Sequence, residues 1–195
     1  MRVCFFGESF VNGTGDPGCL GWAGRICQSA WQNGHEVTYY NLGIRREIST
    51  QLRQRWLQEA MLRLPSEVDG RLVFSFGTND TTVENGRQRV EIAHSLDNLR
   101  AILTEAKSRF PVLMIGAPPI EDAEQMARIE ELSKQMEIAC EALSVPYLET
   151  VSTLKQSDTW MREVAAYDGA HPRAAGYVEF AGLVENWAAW QAWFA

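Results

Sequence analysis

Five short apolar runs along the chain predict β-strands. They are rich in β-branched and aromatic residues, and they cover residues 2–6, 37–42, 71–76, 112–116 and 145–148. Apolar runs of this length that do not alternate with polar residues are typical of strands buried on both faces of a sheet. The pattern therefore predicts five buried strands.

Longer segments with helical spacing lie between these runs. In three of them apolar residues recur every three or four positions, while charged residues occupy the opposite face. The apolar positions are Leu52, Trp56, Ala60 and Met61 in the first segment, Leu96, Leu99, Leu103 and Ala106 in the second, and Met126, Ile129, Leu132, Met136 and Ala139 in the third. Strands that alternate with helices of this length predict an α/β fold, with a parallel sheet covered by helices on both faces.

Composition narrows the class of protein. The chain has 195 residues and is 46% hydrophobic, which suits one domain over residues 1–195 rather than two. Its formal net charge of -7 repels phosphate backbones, so we expect no nucleic-acid partner. No apolar run has the length of a membrane span or a signal-peptide core, and the four cysteines form no CxxC pair. We therefore expect a soluble, cytoplasmic protein with reduced thiols.

Candidate catalytic residues lie in the loops that follow the predicted strands, which is where parallel α/β sheets bind ligands. Ser9 stands in GESF, Gly43 in NLG, Asn79 in GTND, and both Asp168 and His171 in DGAHP. A serine hydroxyl becomes a strong nucleophile when a neighbouring base takes its proton, and histidine suits that task near neutral pH. These residues predict Ser9 as nucleophile, His171 as general base and Asp168 as the group that orients the imidazole.

Acyl transfer also needs donors for the oxyanion that forms on the attacked carbonyl. We expect these donors to be the backbone N–H groups of Ser9 and Gly43 and the side-chain amide of Asn79. No step of this chemistry requires a metal or a cofactor, and its partner is a small-molecule ester substrate.

The four blocks resemble the serine, glycine, asparagine and histidine blocks of the SGNH hydrolases, also called GDSL-like lipases or esterases. They occur in the family's order across nearly the whole chain. The resemblance implies a three-layer, flavodoxin-like fold with strand order 2-1-3-4-5 and hydrolysis of small or lipid-like carboxylic esters. It also implies the same roles for Ser9, Gly43, Asn79 and His171. The serine block differs from the family's usual one, because Glu8 and Phe10 flank the serine in place of Asp and Leu.

Several alternatives stay open at this level. The same site would suit a carbohydrate O-acetylesterase, and a binding domain would keep the fold if Glu8 or the altered glycine block spoiled catalysis. Residues 13–18 also match the GxGxxG pattern of nucleotide sites. However, Gly13 lies seven residues beyond Phe6, and the second strand ends in Asn41 rather than an acidic residue. A loop beside the site is the better interpretation.

Other chemically suggestive residues have simpler explanations. Trp187, Trp190 and Trp193 recur at helical spacing, so we expect them to pack against the sheet or cover its edge rather than contact lipid. A homo-oligomer formed through this segment stays open. Arg45 and Arg46 are a weak indication of an acidic substrate, because charged residues at loop ends are mostly solvated. His35 and His94 have no matching partner motif and are expected to be structural.

Overall fold

A central parallel sheet organises the computed structural model, which describes residues 1–195. The strands are β1 (Arg2–Gly7), β2 (Thr38–Gly43), β3 (Gly70–Ser75), β4 (Val83–Glu84), β5 (Arg87–Gln88), β6 (Val112–Ile115) and β7 (Tyr147–Leu148). The helices are α1 (Ser9–Asn12), α2 (Gly21–Gln32), α3 (Ser49–Arg63), α4 (Ile92–Lys107), α5 (Ala123–Ala142), α6 (Val151–Lys155), α7 (Asp158–Ala166), α8 (Ala174–Glu185) and α9 (Ala188–Gln191).

The sheet has the order β2-β1-β3-β6-β7. Counting only its five strands along the chain, this is 2-1-3-4-5, so the predicted fold class and strand order are confirmed. The prediction that every strand is buried on both faces was wrong for the two at the edges. The residues of β1, β3 and β6 are nearly all buried, whereas β2 and β7 are partly exposed because each has a neighbouring strand on one side only.

Alternate residues of each strand face the two helical layers. In β1, Val3 and Phe5 belong to a core cluster formed with residues of α2, α7 and α8. Cys4 and Phe6 belong to a second cluster, formed with residues of α3, α4 and α5. This alternation is the period of two expected of strands, and it produces the three layers.

Two local features differ from the sequence prediction. Met61 is 47% exposed, because the buried stripe of α3 runs through Leu52, Trp56 and Ala60 and the next residue is rotated about 100° away from it. The antiparallel hairpin of β4 and β5 was not predicted, since each strand has only two residues and three of the four are polar. Its turn residues Asn85 and Gly86 both have positive φ, and the Asn-Gly dipeptide is the sequence signal that would have revealed it.

The C-terminal aromatic residues pack onto the core, as expected. Trp190 is buried, and its ring centroid lies 6.3 Å from that of Phe5 and 5.1 Å from that of Phe194. Trp187 and Trp193 are partly buried against the same cluster. None of the helices combines the length and the apolar character needed to cross a membrane.

The buried stripe of α3 can be tested with a matched pair of leucines. Leu52 is fully buried and Leu62 is 77% exposed on the same helix. We expect Leu52→Ala to lower the free energy of unfolding by about 2–5 kcal/mol, because it leaves a cavity between α3 and the sheet. Leu62→Ala should change it by less than about 0.5 kcal/mol. Urea denaturation measures both, and equal losses would contradict the assigned faces of α3.

Candidate active site

A sharp turn at the end of β1 positions Ser9. Gly7 has a φ of 156°, and a Cβ at this position would lie 1.9 Å from the carbonyl oxygen of Ser75 on β3. The chain then enters α1, where the carbonyl of Glu8 accepts hydrogen bonds from the N–H groups of Val11 and Asn12, at 3.1 and 3.0 Å. Ser9 is the first residue of this helix, so its own N–H has no intrahelical acceptor.

Ser9, His171 and Asp168 form a continuous hydrogen-bonded chain. Ser9 Oγ lies 2.7 Å from His171 Nε2, and His171 Nδ1 lies 2.8 Å from Asp168 Oδ2. The other oxygen of Asp168 accepts the backbone N–H groups of His171 and Ala170, at 2.8 and 3.1 Å. The fold therefore brings together the serine and histidine predicted from opposite ends of the chain.

The surroundings of His171 favour a neutral imidazole. Burial lowers its pKa below the usual value of 6.5, and the positive charge of Arg45 acts in the same direction, while Asp168 opposes both. The ring of Phe10 packs on one side of the imidazole, with 4.8 Å between the ring centroids. Burial disfavours ionisation of Asp168, but its hydrogen bonds from His171 and Ala170 outweigh this effect and hold its pKa below its usual value of 3.8.

Glu8, immediately before Ser9, links the loop that follows β1 (the first loop) to the loop that follows β3 (the third loop). Its side chain is buried, and its carboxylate accepts three hydrogen bonds. The donors are the backbone N–H groups of Thr78 and Asn79, at 2.9 and 3.1 Å, and the side-chain amide of Asn79, at 2.5 Å. Burial raises the pKa of Glu8 to about 7, the Asn79 and Thr78 donors oppose the rise, and the nearby Asp80 carboxylate adds to it.

The loop that carries Asn79 is held by two residues that sequence reasoning did not single out as supports. Gln125 Nε2 on α5 donates to the carbonyl of Thr78 at 2.9 Å and to Thr82 Oγ1 at 3.0 Å. Asp80 Oδ1 accepts the N–H of Ser49 at 2.8 Å and so caps the start of α3. Asp80 belongs to the GTND block, but no sequence pattern marks Gln125 as a support of this loop.

Gly43 lies beside Ser9, but its N–H is already engaged. It donates to Asn41 Oδ1 at 3.0 Å, so an oxyanion would have to displace this acceptor to bind there. Close packing also explains why glycine stands at position 43. A Cβ at this position would lie 2.3 Å from the backbone nitrogen of Asn12, because the turn that carries Ser9, residues 7–12, packs directly against β2.

The tight turn that follows Gly43, residues 44–47, lies across the site. The N–H of Glu47 donates to the carbonyl of Ile44 at 3.1 Å, and Arg46 has a φ of 65°. At one end of the turn Arg45 Nη2 lies 3.9 Å from Asp168 Oδ2, and at the other the carbonyl of Glu47 accepts the Asn79 amide at 3.1 Å.

The loop of residues 13–18 packs beside the site. A Cβ on Gly15 would lie 2.5 Å from the carbonyl oxygen of Pro172, and the carboxylate of Asp16 binds Arg25 and three backbone N–H groups of the loop and the start of α2. The glycine-rich segment thus packs against the loop of residues 168–172, which carries His171 (the histidine loop). His94 is exposed, and the ring of His35 packs against Phe194.

Other potential binding features lie away from Ser9. A cavity of about 430 Å³ between α2 and the C-terminal segment is lined by Ile26, His35, Trp190 and Phe194, and none of its lining residues belongs to the site. No group of three or more His, Cys, Asp or Glu side chains comes together in a way that would hold a metal ion.

The raised pKa of Glu8 has a measurable effect on stability. Between about pH 4.5 and pH 7 the folded protein keeps a proton on Glu8 that the unfolded chain has lost, so the free energy of unfolding falls as the pH rises. Glu8→Gln removes this titration. We expect the stability of this variant relative to the wild type to increase between pH 4.5 and pH 8 by about 1–3 kcal/mol.

Urea denaturation at several pH values measures this difference. Replacement of the exposed Glu67 by Gln is the control, and its effect should be independent of pH over the same range. A difference between Glu8→Gln and the wild type that stays constant from pH 4.5 to pH 8 would contradict the assignment.

Solved structures of other proteins share this fold. A lipase/acylhydrolase from Enterococcus faecalis superposes with a TM-score of 0.78 at 22% identity, covering 94% of this chain and 93% of the other. An acetylxylan esterase from Geobacillus stearothermophilus superposes with a TM-score of 0.76 at 17% identity, covering 93% of this chain and 91% of the other. A member of the lipolytic G-D-S-L family from Veillonella parvula gives 0.77 at 17% identity, covering 94% and 96%. At these identities the likeness shows the fold.

Sequence comparison gives the family. No curated protein matches the chain significantly. The sequence profile described as "GDSL-like Lipase/Acylhydrolase family" matches residues 5–178, a range that extends from β1, before Ser9, into α8, after His171. Since this match spans most of the chain, the protein belongs to the GDSL-like lipase/acylhydrolase family.

Proposed function

We propose that this family member is a serine esterase that works through an acyl-enzyme. Ser9 Oγ attacks the ester carbonyl while His171 Nε2 takes its proton, and the protonated imidazole then passes that proton to the departing alcohol. Water activated by the same imidazole releases the acyl group, and Asp168 stabilises the imidazolium in both steps. The unbroken chain of hydrogen bonds from Ser9 through His171 to Asp168 supports this mechanism most directly.

The oxyanion of each tetrahedral intermediate would be bound by donors around Ser9. We assign the backbone N–H of Ser9 and the side-chain amide of Asn79, as the sequence predicted. We also assign the backbone N–H of Gly43, as predicted. An oxyanion would displace Asn41 Oδ1 from this N–H, as it would displace one of the acceptors of the Asn79 amide.

The proposed substrates are small or lipid-like carboxylic esters. A carbohydrate O-acetylesterase is the second candidate, because an acetylxylan esterase shares the fold over nearly its whole length. A catalytically impaired binding domain is the third, and the short Ser9–His171 and His171–Asp168 distances count against it.

Covalent labelling tests the nucleophile. We expect a fluorophosphonate probe to form one adduct, on Ser9, because His171 activates that hydroxyl. Mass spectrometry should find the adduct in the wild type and in a control with the exposed Ser66 replaced by Ala, and should not find it in Ser9→Ala. A folded wild-type protein that acquires no adduct would overturn the esterase proposal and favour the binding domain.

A substrate panel separates the two kinds of esterase. We expect kcat/KM for methyl acetate and methyl butyrate to exceed that for acetylated xylo-oligosaccharides by at least about tenfold. Methanol and a sugar hydroxyl are comparable leaving groups, so this ratio corresponds to about 1.4 kcal/mol of transition-state stabilisation. Titration of the released acid measures both classes under the same conditions. A reversed preference would replace the first candidate by the carbohydrate esterase.

A further inference from the structure

The side-chain amide of Asn79 is already bound to two acceptors inside the protein. A primary amide carries two N–H bonds. Nδ2 of Asn79 lies 2.5 Å from Glu8 Oε2 and 3.1 Å from the carbonyl oxygen of Glu47, so these two oxygens compete with a substrate for the amide. An oxyanion at Ser9 would have to displace one of these two partners.

Glu8 is the stronger of the two partners. A hydrogen bond to a carboxylate is about twice as strong as one between neutral groups, and burial from water strengthens it further. The same carboxylate is fixed by the backbone N–H groups of Thr78 and Asn79, so it cannot follow the amide toward a substrate. The contact to the Glu47 carbonyl is longer and involves no charge.

The length of the Glu8 side chain allows the third contact. The backbone of residue 8 is fixed between β1 and α1, since its carbonyl accepts two N–H groups of the turn that carries Ser9. From this fixed point the side chain has to reach three donors that lie along Thr78 and Asn79. An aspartate is one methylene shorter, about 1.5 Å, and would reach fewer of them.

We propose that Glu8 is a positioning residue that holds the Asn79 amide away from the reacting carbonyl, and that a shorter carboxylate at this position releases the amide and speeds turnover. The inference rests on the proposed ester hydrolysis at Ser9. Glu8 and the oxyanion compete for the Asn79 amide only when the oxyanion forms. The competition therefore lowers kcat and leaves ground-state binding of the substrate unchanged.

Glu8→Asp tests this in two backgrounds, with p-nitrophenyl acetate as substrate at pH 8, where Glu8 is ionised because its pKa is about 7. In the wild-type background kcat should rise about tenfold with KM within about twofold, since one charge-assisted hydrogen bond no longer has to break. Asn79→Ala should lower kcat about 10²-fold in the wild type, at the lower end of the range for one oxyanion donor, and about 10³-fold in Glu8→Asp. The exposed Glu67→Asp is the control and should leave kcat unchanged.

Two results would overturn the positioning role. One is a kcat for Glu8→Asp that does not rise, and the other is a rise that persists when Asn79 is already Ala. The proposed function fails in a different way, since in that case the wild type neither reacts with a fluorophosphonate nor hydrolyses the ester. Hydrolysis by the wild type without a gain in Glu8→Asp overturns the Glu8 proposal alone.

A spectroscopic measurement decides the matter if Glu8→Asp does not fold. The side-chain amide protons of Asn79 can be assigned in the ¹⁵N spectrum of the wild type by their loss in Asn79→Ala. We expect one of them to be shifted downfield by the Glu8 carboxylate, and to change its shift when a phosphonate adduct on Ser9 supplies a competing oxygen. An adduct that leaves both resonances unchanged would overturn the proposal.

Discussion

The site depends on the register of three neighbouring strands. Gly7 at the end of β1 is paired with Gly43 on β2 and with Ser75 on β3, so the first three loops leave the sheet at the same level. A Cβ on Gly7 would meet the carbonyl oxygen of Ser75, and a Cβ on Gly43 would meet the turn that carries Ser9, which is why glycine stands at both positions. Shifting any of these strands by one residue would turn the following loop toward the opposite helical layer.

Joining these loops closely buries two carboxyl groups. Glu8 and Asp80 are both buried, and burial raises the pKa of each carboxyl group. Each is held by backbone donors, those of Thr78 and Asn79 for Glu8 and that of Ser49 for Asp80. Buried carboxylates are tolerated when hydrogen bonds of this kind replace water, and here the same bonds tie the starts of α1 and α3 to the third loop.

The apolar runs predicted the strands, and the chemically distinctive blocks predicted the grouping of Ser9, Asp168 and His171, because both are local signals. The strand order was implied by the resemblance of these blocks to the SGNH hydrolases. The sequence did not predict that Asn41 Oδ1 accepts the N–H of Gly43. This contact depends on where the Asn41 side chain turns, and no periodic pattern records this. The contact between Glu8 and Asn79 was also missed, since it joins residues 71 positions apart through one extra methylene.

Asp168 and His171 are three residues apart on one loop, whereas His171 and Ser9 are separated by 162 residues. The orienting pair is therefore a local structure, and its union with the serine requires nearly the whole chain. During synthesis, in which the N-terminal part folds first, the turn that carries Ser9 would emerge early and remain without its histidine partner. Only when α8 docks against α2 does the loop that carries His171 reach Ser9. The order of the residues along the chain thus delays assembly of the proposed catalytic group until folding is almost complete.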